Sequence, residues 1–177
     1  ARGRNFYGTL AVFDDPAQTT DRTVTLFFGA LDVNGDAFNI GLAEPARPAD
    51  ADYVLDLSLG ISFGFQDPTT RNQLSRVDVN GLRLTSCAGG QDDGLSSDGG
   101  LVTVGGVGDS HANPADPMAP PTNFDSDDEL YDLKPFVKAG DQLVQVNTIN
   151  PSLDDNIFFA ALLMSGTALV NEGIVLT

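Results

Sequence analysis

The residues able to do chemistry crowd into one stretch, positions 92–159. Between Arg83 and Lys134 the chain has no Lys or Arg. In that gap lie Asp92, Asp93, Asp98, Asp109, Asp116, Asp125, Asp127, Asp128, Glu129 and Asp132. Like charges this dense repel one another unless water spreads them or a cation neutralises them. Apolar pieces (Leu101 to Val104, Leu130 to Val137, Leu143 to Val146, Ile157 to Leu163) interrupt the acids, so the stretch does not read as an acidic tail. A folded backbone must then hold these carboxylates close together. Calcium suits that task, because it takes carboxylate and loop-carbonyl oxygens as ligands. The candidate ligands are Asp92, Asp93 and Asp98 with Asp125, Asp127 and Asp128, plus Asp154 and Asp155; Asp109 and Asp116 come next. The first two groups flank residues 101–104 and the long loop after them, so folding can bring them together. The competing reading is a solvated acidic face whose carboxylates accept backbone N–H bonds in turns.

Other chemistry has thinner support. Asp32, Asn34 and Asp36 fall at the spacing of the first ligands of an EF-hand-type loop. Ala37 then replaces the needed Gly, and Ala43 stands where the bidentate acid belongs. That favours an Asn-Gly hairpin turn between strands. His111 is the one histidine, and no Gly-x-Ser-x-Gly elbow accompanies it. With Cys87 it makes a thin zinc set, and Cys87 has no second His to activate it. A carboxylate pair for glycoside hydrolysis will exist by chance among so many Asp. Residues 105–109, GGVGD, lack the Lys of a phosphate loop and lie among acids. No enzyme is expected.

The elements that must position the acids read as strands. Residues 6–13 alternate loosely, and 23–33 read as a largely buried strand. Positions 53–65 place Tyr53, Leu55, Leu57, Leu59, Ile61, Phe63 and Phe65 on one side, with Val54, Asp56, Ser58 and Gly60 on the other, and read as a long strand with one buried face. Residues 74–86 are a hairpin turning at Asn80-Gly81. Residues 101–108 are a short strand, and 109–128 a Pro/Asp loop long enough to be functional or pinned. Residues 142–149 are a strand. Residues 157–170 read as strand, bend at Gly166, then strand, and the final residues as a terminal strand. No convincing helix appears. Short strands between turn signals argue an all-β sandwich in a single domain, 1–177.

The totals agree. Of 25 acids, three are Glu (Glu44, Glu129, Glu172) and the remaining 22 are Asp. Asp favours turns, caps and calcium loops, whereas Glu populates helices. The net charge of −16 argues against nucleic acid and anionic membrane surfaces as partners. A hydrophobic content of 41% supports a packed core rather than disorder. One cysteine forbids an intrachain disulfide. No signal peptide and no membrane-spanning run is evident.

Residues 77–81 (VDVNG), 127–146 (DDELYDLKPFVKAGDQLVQV) and 155–166 (DNIFFAALLMSG) together resemble the galactose-binding-like jelly rolls. In that segment Leu133 and Phe136 are expected to plug the sandwich end, Pro135 to set the bend, and Gly140 to turn the chain into Leu143, Val144 and Val146. The resemblance covers roughly the last 100 residues as motif plus context. More narrowly, the acidic loops and the ending at 171–176 resemble modules of large secreted or surface-attached bacterial proteins, often preceding immunoglobulin-like repeats. The resemblance implies export, a jelly-roll β-sandwich with long acidic calcium-type loops, and a non-catalytic role. It also implies one structural calcium and, in many members, sugar binding; with no Trp and three Tyr, no aromatic sugar platform is visible. The expected function is a calcium-stabilised (Ca2+) extracellular structural or adhesive module of a cell-surface structure. Its partners would be copies of itself or other surface proteins. The apolar segments 6–13 and 173–177 suggest a filament subunit assembling by strand addition. A carbohydrate-binding module that takes glycans is the alternative.

Overall fold

A computed structural model describes residues 22–28, 34–61, 75–86, 88, 112–118, 130–151, 153, 157–166 and 168–169. Among these residues nine strands form two antiparallel sheets, and the one helical element is a single 3-10 turn at Lys134–Phe136. The strands are β1 (Arg22–Phe28), β2 (Ala37–Leu42), β3 (Leu55–Ile61), β4 (Arg76–Val79), β5 (Leu82–Thr85), β6 (Leu130–Asp132), β7 (Leu143–Ile149), β8 (Ile157–Ser165) and β9 (Ala168–Leu169). One sheet runs β1-β8-β3-β6 and the other β5-β4-β7-β2-β9. The pairings are nested. β1 pairs β8, β2 pairs β7, β3 pairs β6 and β4 pairs β5, as in one long hairpin rolled up on itself. Pairs β3·β8 and β4·β7 then join the rolled halves.

Alternating side chains decide which face is inward. Phe38, Ile40 and Leu42 of β2 face Val144 and Val146 of β7 and Val77 and Val79 of β4, all buried. From the other sheet come Leu55, Leu57 and Leu59 of β3, Ala160, Leu162 and Met164 of β8, and Tyr131 of β6. These form one core, and Phe27 of β1 meets Phe38 of β2 across it with ring centroids 5.8 Å apart. Leu133 is fully buried, and Phe136 packs on the same core from the 3-10 turn, plugging it where the sequence expected. Gly140, at φ +96°, makes the turn into β7.

Three expectations need correction. Residues 22–27 are not largely buried: β1 is an edge strand, its side chains are half-buried, and Leu26 is exposed. The second face of β3 is not open. Asp56 and Ser58 are only 6% and 4% exposed, because β3 is an interior strand flanked by β8 and β6. Asn34-Gly35 does not close a hairpin, since β1 and β2 belong to different sheets. It delivers the chain from one sheet to the other. Asp36 is locked there by Thr148, whose Oγ1 accepts from the Asp36 N–H at 2.9 Å and donates to the Asp36 carbonyl at 3.2 Å.

Two other readings hold in detail. Asn80 and Gly81 take φ of 49° and 78°, the left-handed pair that a two-residue hairpin turn needs. Gly166, at φ +84°, separates β8 from β9, so the apolar run at 157–170 is two strands in two different sheets.

Candidate functional site

β5 ends at Thr85 on the edge of one sheet, and β6 begins at Leu130 on the edge of the other. The connection between them carries nine of the 25 acids and no Lys or Arg. Its course is pinned at three described places. The Ala88 N–H donates to the Ser75 carbonyl at 2.8 Å, holding the chain beside the start of β4 as it leaves β5. The Ser86 hydroxyl donates to the Pro117 carbonyl at 2.8 Å. Asn113 pairs with the β6 backbone through its side chain: Nδ2 donates to the Asp132 carbonyl at 2.6 Å, and Oδ1 accepts from the Asp132 N–H at 3.0 Å. An amide side chain used this way imitates a neighbouring strand, satisfying backbone groups on the edge of β6.

Segment 112–118 therefore touches both the exit of β5 and the body of β6. In the sequence this segment divides the connection into a part before residue 112 and a part after residue 118. The first holds Asp92, Asp93, Asp98 and Asp109; the second holds Asp125, Asp127, Asp128 and Glu129.

The two cations that bracket this stretch are already engaged at its base. Arg83 Nε lies 2.5 Å from Asp78 Oδ1, and its Nη1 donates to the Ser86 hydroxyl at 2.8 Å. Lys134 Nζ lies 3.8 Å from Asp132 Oδ2, while its N–H donates to Asp132 Oδ1 at 2.8 Å.

The proposed metal ligands Asp92, Asp93, Asp98, Asp109, Asp125, Asp127, Asp128, Asp154 and Asp155 lie outside the described residues, as do His111 and Cys87. Asp116 is described and caps a turn, its Oδ1 accepting the Met118 N–H at 3.0 Å. Asp141 does the same for the Lys138 N–H at 2.8 Å. Among the described residues, no group of three or more His, Cys, Asp or Glu is placed to hold a metal ion.

Sequence reasoning missed Asn113, Ser86 and the reach of Asn80. The Asn80 side chain leaves its own hairpin, donating from Nδ2 to the Phe136 carbonyl and accepting the Gln145 N–H, both at 2.9 Å. It thereby ties residues 77–81 to residues 127–146, two of the three segments on which the jelly-roll resemblance rests. Nothing in the local spacing announces these contacts, since Asn80 and Gln145 stand 65 residues apart.

No family model matches the chain, and no curated protein or solved structure is significantly similar to it.

Proposed function

We propose that this protein is a jelly-roll β-sandwich stabilised by calcium, acting as a non-enzymatic structural or adhesive module of an exported surface structure. Nested pairing of strands one to eight supports the jelly-roll reading, since the orders β1-β8-β3-β6 and β2-β7-β4-β5 are those of a rolled double-sheet hairpin. The calcium reading rests on one observation above all. The described parts of the β5–β6 connection are pinned to Ser86 and to β6, and both cations that bracket this acid-rich sequence are already matched to carboxylates there. Carboxylates this dense in sequence, with no Lys or Arg of their own between Arg83 and Lys134, call for an external dication with oxygen preference. Candidate ligands remain Asp92, Asp93, Asp98, Asp109, Asp125, Asp127, Asp128, Asp154 and Asp155.

The experiment is a melting curve with calcium and with a chelator. Chelation is expected to lower the melting temperature, and Asp127→Asn to shrink the difference by weakening the calcium-bound form. Identical curves with and without chelator overturn the proposal. Glycan binding is the second function open to such a module. No described feature favours it: among the described residues the exposed large apolar side chains are Leu26, Leu82, Met118, Leu143, Ile149 and Leu153, none of which offers a ring for a sugar to stack on.

A further inference from the structure

A two-sheet protein has sheet edges, and an edge strand presents backbone groups that pair with any strand brought alongside. The ways in which each edge is guarded differ sharply here. β6 is three residues long, and Asn113 occupies the backbone of Asp132. β5 is four residues long, joins β4 through a register irregularity at Val77/Asp78, and carries the charged Arg83. β9 is two residues long, and among the described residues the part of β2 that it does not pair, residues 37–40, is four residues beside Asp36. β1 is the exception. It is seven residues long and pairs β8 through all seven without a register shift. Its sequence, RTVTLFF, has no Pro, no acid and one charge, and that one, Arg22, is held by the Ser165 hydroxyl at 2.9 Å. Among the described residues no strand lies on its other side.

We infer that the edge of β1 away from β8 is a self-association surface, and that its occupant is β1 of a second copy in antiparallel register. This deepens the structural role proposed above, through the assembly by strand addition that the sequence suggests, and rests on it. The strand is nearly its own complement. Centred on Thr25, the pairing sets Thr25 opposite Thr25, Val24 opposite Leu26, Thr23 opposite Phe27 and Arg22 opposite Phe28. No like charges meet, which matters for a chain of net charge −16. Val24 and Leu26 share the face turned away from the core, and Leu26 is 36% exposed, so two-fold pairing extends an apolar strip across both copies. One pair of seven-residue strands is a small interface, and the association is therefore weak and concentration-dependent. The repulsion between two acidic bodies is long-range and screened by salt, so added NaCl tightens the dimer.

Sedimentation of the full chain across a concentration series, with calcium present, tests this. The wild type is expected to pass from monomer to dimer, the dimer gaining with salt. Val24→Lys/Leu26→Lys sets Lys against Lys at two places per interface, and Val24→Glu/Leu26→Glu sets Glu against Glu; each alone stays monomeric. An equal mixture of the two variants regains the dimer. Association of the Lys variant equal to that of the wild type overturns the β1 edge while leaving the assembly role standing. A wild type that stays monomeric throughout overturns both. Hydrogen exchange of the wild type gives a readout independent of the variants' folding. Amides of residues 22–28 are slowed on concentration if the inference holds. Protection unchanged on dilution assigns that edge to this chain's own residues and overturns it.

Discussion

A methyl group at position 35 has nowhere to go. An ideal Cβ on Gly35 would sit 2.0 Å from the Thr148 carbonyl oxygen, and the residue holds φ +102°. Space and backbone conformation both exclude a side chain. Gly35→Ala is expected to cost more than about 3 kcal/mol, measured by denaturant unfolding. Asn80 is the second such position. Asn80→Ala removes two hydrogen bonds that cross between motifs and leaves an alanine at φ 49°. A loss of about 2–3 kcal/mol follows, read as a lower denaturant midpoint with unchanged slope. Tyr53 behaves differently. Its ring is buried, its hydroxyl finds no hydrogen-bond partner among the described residues, and burial pushes its pKa above the usual tyrosine value against the opposing pull of Arg47. A raised pKa means that the stability linked to the neutral phenol is complete below about pH 10 and is lost as pH rises through the folded-state value. Tyr53→Phe is expected to leave the neutral-pH melting temperature nearly unchanged and to flatten the alkaline decline, as a pH series of melts will register.

At the scale of elements, the pins on the β5–β6 connection join the periphery to the sheets. Asn113→Ala deletes both side-chain bonds to Asp132 and exposes the edge of β6. About 1–3 kcal/mol of stability is expected to go, with faster amide exchange at Leu130–Asp132 than at Leu143–Ile149. Much at this scale was legible beforehand. β7 alternates apolar and polar residues, the 76–85 hairpin carries its Asn-Gly turn, and Gly166 marks the break between β8 and β9. What misled was the environment around a strand rather than the strand itself. Asp56 and Ser58 read as an outward face because the sequence cannot tell an interior strand from an edge. Residues 23–28 read as buried because Val, Leu and Phe look alike on an edge. Asn34-Gly35 read as a hairpin because local turn chemistry does not say which strands the turn joins. The candidate site was legible as an accumulation of Asp without counter-charge; the pins beneath it were not, since each joins residues far apart in the chain.

For the whole molecule, charge is the governing term. A chain of net charge −16 carries self-repulsion that grows as it compacts. Site-bound calcium and general screening relieve it differently. In chelator-treated protein, added calcium is expected to restore the melting temperature at concentrations where NaCl of equal ionic strength restores little. Equal recovery by the two salts would assign the effect to diffuse screening.

The rolled-up pairing has a further consequence, for how fast the molecule forms. Arg22 and Ser165, neighbours in the finished sheet, are 143 residues apart along the chain. Every nested pair outside the central hairpin closes a long loop before contacts reward it, and such topologies fold slowly. The β4–β5 hairpin can form early by itself; β1 must wait for β8, the last long strand described, to arrive.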